Sequence, residues 1–206
     1  MATRYPLDET GVWRELRRPR RGVVTPGLFL DRDGTLIELV PYLSDPKEVR
    51  LVPEAVALVR AANRRGMPVV VITNQSGISR GLYGWREFAA VEARISGLLE
   101  AEGAILDAVI ACPAPPDSDA PCRKPNPGMI LLGTAMLGLD PGSSWVAGDS
   151  AIDLEAGRRA GLRRGWLAPT GYGTRDAQAA LALATAAYEV TILRPLDELA
   201  TRFAAG

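Results

Sequence analysis

Two aspartates separated by a single residue, Asp31 and Asp33, close the short apolar run of Leu28-Phe29-Leu30-Asp31-Arg32-Asp33-Gly34-Thr35. On a strand, an i, i+2 spacing puts both side chains on one face. Where the chain leaves the strand and turns at Gly34, the two carboxylates converge on one small volume. Like charges that close are unfavourable unless a cation or a proton is shared between them. The pair therefore asks for a divalent metal, for acid–base chemistry, or for both. A solvated turn rich in Asp and Gly is the plain alternative.

Absences narrow the chemistry. The chain of 206 residues holds no histidine, which excludes Ser-His-Asp triads and every imidazole ligand. Neither Cys112 nor Cys122 is followed six positions later by Arg, so a Cys-based phosphatase loop is missing. No P-loop and no G-x-G-x-x-G fingerprint is present. What remains for catalysis is carboxylates, hydroxyls, amides, Arg, and one of two lysines, Lys47 and Lys124. The formal net charge of zero gives no global case for nucleic acid or an anionic membrane. The basic run Arg14–Arg21 reads first as a solvated N-terminal arm and second as a binding patch. No stretch approaches the ~20 apolar residues of a membrane span, and the first residues lack a signal-peptide core. The expectation is a cytoplasmic protein of one domain, residues 1–206, monomeric by preference, with residues 1–26 as an N-terminal extension. Two cysteines do not make a disulfide scaffold, and both read as free thiols, buried or at the surface.

The elements that must position the aspartates follow from apolar patterning. Strands are expected at Leu28–Asp31, Pro68–Thr73, Ile105–Ala111, Ser144–Ala147, Arg164–Leu167 and Tyr188–Leu193. Helices are expected at Pro53–Arg65, Trp85–Ala101, Gly128–Leu137, Ala151–Ala160, Asp176–Ala187 and Leu196–Phe203, with a Pro-rich loop at 112–127. Strict alternation implies an α/β fold, a Rossmann-like three-layer α/β/α arrangement on a central parallel sheet. Ligands of such sheets sit at the carboxyl ends of the strands, near the point where strand order reverses. Asp31, Thr73, Cys112 and Asp149 all fall at strand ends on this reading.

Four segments then stand in order: Asp31-Arg32-Asp33-Gly34-Thr35, Thr73-Asn74, Lys124 within Cys122-Arg123-Lys124-Pro125, and Gly148-Asp149-Ser150 with Asp153 beyond. This order resembles the haloacid dehalogenase (HAD) superfamily of phosphohydrolases. Thr73-Asn74-Gln75-Ser76-Gly77-Ile78-Ser79-Arg80-Gly81 and Cys122-Arg123-Lys124-Pro125-Asn126-Pro127-Gly128-Met129 resemble its branch of D-glycero-D-manno-heptose 1,7-bisphosphate and histidinol-phosphate phosphatases. The likeness runs from about Leu28 to Leu167.

The resemblance implies a Mg²⁺-dependent phosphomonoester hydrolase working through an aspartyl-phosphate, with a small phosphorylated metabolite as its partner and neither nucleic acid nor membrane. It makes Asp31 the nucleophile and Asp33 the acid–base. Mg²⁺ would be held by Asp31, the backbone carbonyl of Asp33, and Asp149. Asp153 would support the metal through water, or else serve only as a helix N-terminal anion. Thr73 and Lys124 would bind and neutralise the phosphoryl group. Asn74, Gln75, Ser76, Arg123 and Tyr42 are candidate substrate contacts. A phosphotransfer ATPase of the superfamily carries Thr where Asp33 stands, and a dehalogenase lacks this acid. The 42 positions from Asp31 to Thr73 and the 51 from Thr73 to Lys124 leave no room for a large cap. Leu36–Val52 is expected to form a small flap with Tyr42 near the mouth of the site.

Departures from the branch concern specificity. Its zinc loop reads C-x-H followed by C-x-C; here Ala114 and Ala120 replace two of the four ligands, so no structural zinc is expected. Leu39 stands where heptose-specific relatives carry an acid, and Ser150 where they carry Lys. Histidinol-phosphate phosphatase and polynucleotide 3′-phosphatase are the alternatives within enzymes; an inactive HAD-fold binding module is the alternative outside them. That last reading would predict loss of Asp31, Asp33, Lys124 or Asp149, and all four are present.

Overall fold

Val69–Asn74 (β3) is buried almost along its whole length, because its β-branched run lies in the middle of a sheet covered on both faces. A computed structural model describes residues 5–19 and 24–193 of the chain. The remaining strands are Trp13–Leu16 (β1), Leu28–Leu30 (β2), Ala108–Cys112 (β4), Trp145–Gly148 (β5), Arg164–Leu167 (β6) and Glu189–Ile192 (β7). They form one seven-stranded sheet in the order β1-β4-β3-β2-β5-β6-β7. Every pairing is parallel except β1 on β4, where Trp13 opposes Ala111 and Leu16 opposes Ala108. Strand order reverses between β2 and β5, so the ends of these two neighbours frame the crevice where such sheets bind ligands.

Alternation along the strands builds two cores. Leu28, Leu30, Val69 and Val71 face helices Pro53–Arg64 (α1) and Trp85–Ala101 (α3), joined to β3 through the short helix Ser76–Ser79 (α2). Phe29, Val70, Ile72 and Val146 face helices Gly128–Leu137 (α4) and Ala151–Arg159 (α5). The last helix is Gly173–Leu181 (α6), whose Ala180 packs with Leu154 and Leu167. The helix expected over Asp176–Ala187 is therefore earlier and shorter. Residues 182–187 are mostly exposed and offer the core only the half-buried Leu183, so Ala propensity alone does not hold a helix there. The chain turns instead, which buries Tyr188 and brings its hydroxyl 2.7 Å from the Leu154 carbonyl. The expected helix Leu196–Phe203 lies outside the described residues.

Two expectations are overturned. The segment read as a solvated arm, Arg14–Arg21, begins inside β1, which is held in place by the Trp13 ring 5.5 Å from Trp85 and 5.1 Å from Phe88. Its Arg17 points inward to Glu92 instead of outward. The sheet consequently carries one antiparallel edge strand and is not wholly parallel. Second, Cys112 and Cys122 are not free thiols: they are joined as a disulfide across the Pro-rich loop, with their Cα atoms 5.6 Å apart. Cys112 ends β4, so the bridge ties the loop that carries Lys124 to the sheet. Leu36–Val52 holds no element beyond a 3₁₀ turn at Pro46–Glu48 and a few bridges, which is the small flap expected after β2. Among the described residues no helix is long and apolar enough to cross a membrane.

Candidate active site

Asp31 follows the last residue of β2 and Asp149 follows the last residue of β5, so adjacent parallel strands deliver the two carboxylates side by side. Asp149 is seated where only glycine fits. Gly34, at φ +90°, and Gly171, at φ +49°, press against its carboxylate; a Cβ on either would lie 2.3 Å or 1.8 Å from Asp149 Oδ2. The Tyr172 amide donates to the same oxygen at 2.9 Å. Asp153 sits in the first turn of α5, where Oδ2 accepts from the Ser150 amide at 3.1 Å and closes a capping box.

Lys124 ties this group together. Its buried Nζ donates to Asp31 Oδ1 at 2.6 Å, to the Ile72 carbonyl at 3.0 Å, and lies 2.7 Å from Asp153 Oδ1. Asn74 holds the Lys124 backbone on both sides, its amide giving one hydrogen bond and accepting another, each 3.1 Å long. Ligand oxygens of Asp31, Asp149 and Asp153 lie within 4.8 Å of one another. Three buried carboxylates against one ammonium leave an excess of negative charge in a dry place. Burial first, then the neighbouring Asp153, Asp149 and Asp33, raises Asp31 well above the usual carboxylate range despite the opposing Lys124. Burial and Asp153 push Asp149 up to about 6 against the opposing Tyr172 amide and Lys124. Burial alone would lower Lys124, but Asp153 and Asp31 overcome it and keep the ammonium charged. An all-oxygen pocket with surplus anionic charge fits a hard divalent cation such as Mg²⁺.

Asp33 occupies a different environment. Arg32 grips both of its oxygens, Nε to Oδ2 and Nη2 to Oδ1, each at 3.0 Å. Thr73 donates to Oδ2 at 3.2 Å and Gln75 at 2.8 Å. Gln75 also donates to Thr73, and its carbonyl oxygen accepts from Tyr83. The Tyr83 ring packs against Gly77, where a Cβ would lie 2.2 Å from Cε1. Burial pushes the Tyr83 hydroxyl up to about 12, so it stays a donor.

The structure thus brings Asp31, Lys124, Asp149 and Asp153 into one cluster, with Asp33, Thr73 and Gln75 in a second. Three of the suggested substrate contacts are engaged with protein: Asn74 with the Lys124 backbone, Gln75 with Asp33, and Arg123 with the carbonyls of Ala114 and Pro116 at 3.1 and 3.3 Å. Ser76 opens α2, and its carbonyl accepts from the Ser79 hydroxyl. Tyr42 is 47% exposed in the flap and hydrogen-bonds Arg80, whose guanidinium lies 5.1 Å from the ring centre. Sequence patterning passed over Arg32, Tyr83, Arg80 and Glu92. Glu92 carried a signal, since it stands on an α3 face otherwise made of Phe88, Val91, Ile95 and Leu99. A buried acid on such a face needs a cation, and Arg32 supplies it.

The carboxylates thus stand at the ends of the two strands that flank the reversal of strand order, where doubly wound α/β folds bind their ligands. The chain belongs to the haloacid dehalogenase-like hydrolase family, whose model matches residues 42–161. It is 47% identical over 175 residues to the D-glycero-beta-D-manno-heptose-1,7-bisphosphate 7-phosphatase of Mesorhizobium japonicum, covering 80% of each chain. A HAD-like protein from Mesorhizobium loti superposes with a TM-score of 0.84 at 41% identity, over 98% of this chain and 95% of that one. The D,D-heptose 1,7-bisphosphate phosphatase of B. bronchiseptica, solved with magnesium and phosphate, gives 0.76 at 30% identity, over 87% and 98%.

Proposed function

We propose that this protein is a Mg²⁺-dependent phosphomonoesterase acting on a small sugar phosphate or bisphosphate, with the heptose 1,7-bisphosphates foremost. The observation that carries the reading is the pairing of unlike carboxylates: Asp31 bound to a buried ammonium, and Asp33 bound to neutral donors and Arg32. Asp31 Oδ1 is occupied by Lys124, which leaves Oδ2 to attack phosphorus. As the Asp31–phosphorus bond forms, the bond to the leaving oxygen breaks and Asp33 gives that oxygen its proton. Water then attacks the aspartyl-phosphate, Asp33 takes the water's proton, and the carboxylate of Asp31 leaves. Lys124 neutralises charge on the transferring group, and Thr73 holds Asp33 at its post. Asp31, Asp149 and the Asp33 carbonyl would hold Mg²⁺, with Asp153 in support; when bound, the cation supplies further neutralisation and orientation of the phosphoryl group.

Specificity rests on the flap and on short loops. Ser150, where heptose-specific relatives carry Lys, donates its hydroxyl to Asp176 at 2.6 Å and offers a sugar no cation. The Pro-rich loop is proposed to need no zinc, because its two sulfurs bond each other and Ala114 and Ala120 offer no ligand. A panel of phosphorylated metabolites, assayed with Mg²⁺ and with EDTA, tests the reading. Phosphate should be released from sugar phosphates with Mg²⁺ alone; no release from any of them would sink it. Stoichiometric zinc in the same preparation would overturn the account of the loop.

The raised carboxyls make cation binding depend on pH. Mg²⁺ must displace a proton from Asp149 below about 6, and from Asp31 as well. Affinity is expected to rise about tenfold or more from pH 5 to 6 and to rise by less with each further unit as the carboxyls ionise. Without cation the same shifts act on the fold. A carboxyl raised from 3.8 to about 6 stabilises the native state below the lower value, and that stability is lost as pH climbs through the upper one. Calorimetric titration of Mg²⁺ at pH 5, 6, 7 and 8 reads this directly. An affinity flat across that range would refute the assignment of Asp149 as a ligand.

A further inference from the structure

Arg32 is the residue between the two aspartates, and its side chain is almost wholly buried. Its guanidinium lies 5.2 Å from the centre of the Phe88 ring, and Nη1 donates to Glu92 Oε1 at 3.1 Å. Those contacts use one face and one corner of the fork and leave Nε and Nη2 aligned with the two oxygens of Asp33. Glu92 is held in turn from the far side. Arg17 Nη2 lies 3.5 Å from Glu92 Oε2, and Arg17 Nη1 donates to Ser96 Oγ at 2.6 Å. Ser96 donates to the Glu92 carbonyl one turn back at 2.9 Å. Phe88, Glu92 and Ser96 recur every four residues, so a single stripe of α3 supports the whole chain of contacts.

We infer that Glu92 is a positioning residue for the acid–base carboxylate: fixed by Arg17, the residue just after β1, it orients Arg32, and Arg32 aims Asp33. The inference rests on the phosphomonoesterase reading above. Stability alone does not account for the arrangement. A buried ion pair returns little more than its own desolvation, and apolar residues of the same volume serve a core as well or better. The Phe88 ring lies against the guanidinium but does not set where its fork points. Glu92 supplies the second constraint, and a two-pronged grip on Asp33 needs both. The relay also gives β1 a part in the site, since Arg17 is its immediate extension.

The test compares leaving groups. A proton from Asp33 matters where an alkoxide leaves and hardly matters where p-nitrophenolate leaves. In Glu92→Gln, kcat/KM for the best sugar phosphate of the panel should fall about tenfold or more, with KM within about threefold of wild type. For p-nitrophenyl phosphate kcat/KM should fall less than about threefold. An equal loss on both substrates, or no loss on either, overturns the role given to Glu92 and leaves the phosphatase reading intact. Wild-type protein that leaves every sugar phosphate untouched overturns that reading, and Glu92's role with it. Should Glu92→Gln fail to fold, Arg32→Lys reads the same relay, for it keeps the charge and loses the fork. The same selective loss is expected, and an equal loss on both substrates overturns the proposal.

Discussion

Asp31→Asn is expected to lower phosphate release by about 10⁴-fold or more while leaving the protein at least as stable as wild type. The two effects have one cause. The Asp31 carboxylate, the proposed nucleophile, is disfavoured by its burial and then by Asp153 and Asp149, so its charge is a burden on the native state. An Asn amide oxygen can still accept the Lys124 ammonium at Oδ1, which also keeps Asp153 as a partner. What the amide cannot do is form the covalent bond to phosphorus. Thermal unfolding in EDTA should therefore show an unchanged or higher midpoint, and the difference should shrink as pH falls through the raised range of Asp31 and vanish below about pH 4, where the carboxyl is neutral in the folded and the unfolded chain alike. Retention of more than about 1% of wild-type turnover would show that Asp31 is not the nucleophile. A large drop in the unfolding midpoint would show that its charge is not a burden.

The parts of the site visible in the sequence are those that a strand end dictates. Asp31, Thr73 and Asp149 follow apolar runs short enough to be strands, and parallel strands deliver their ends to one edge of the sheet. Lys124 stood out because the chain has so few lysines and this one lies in a motif. Long-range pairings were not legible. β1 has four residues, two of them charged, and its partner β4 lies about a hundred residues on; the pairing rests on Trp13 meeting Trp85 and Phe88, which no local pattern announces. The disulfide was hidden for a like reason, since a loop of prolines between two cysteines does not say whether its ends meet. Arg32 was missed because alternation on a strand turns it away from Asp31 and Asp33. The chain leaves the strand before that position, and the long side chain curls back onto its neighbour. Side chains with several donors, held by residues far off in sequence, are where period and spacing stop being informative.

Lys124→Met separates what the ammonium does for the fold from what it does for the reaction. Met matches the Lys stem in volume, so the change removes charge and leaves no cavity. Asn74 keeps its two bonds to the backbone at 124. Asp31, Asp149 and Asp153 then face one another with no buried cation among them. In EDTA the variant should be less stable by about 3–5 kcal/mol, as when one partner of a buried pair is removed. Phosphate release should fall about 10²- to 10³-fold, because a donor aimed at developing charge is gone. Mg²⁺ should nevertheless bind more tightly, by about tenfold, since it now takes up the neutralisation that Lys124 provided. The rise in unfolding midpoint on adding Mg²⁺ should accordingly be larger in the variant than in wild type. Weaker binding and lower turnover together would be an ordinary loss of a damaged site. Tighter binding with lower turnover is the signature of an ammonium and a divalent cation that draw on the same three carboxylates. If Mg²⁺ bound the variant no more tightly than wild type, the cation would have to sit elsewhere, and the cluster at the ends of β2 and β5 would be a structural charge network.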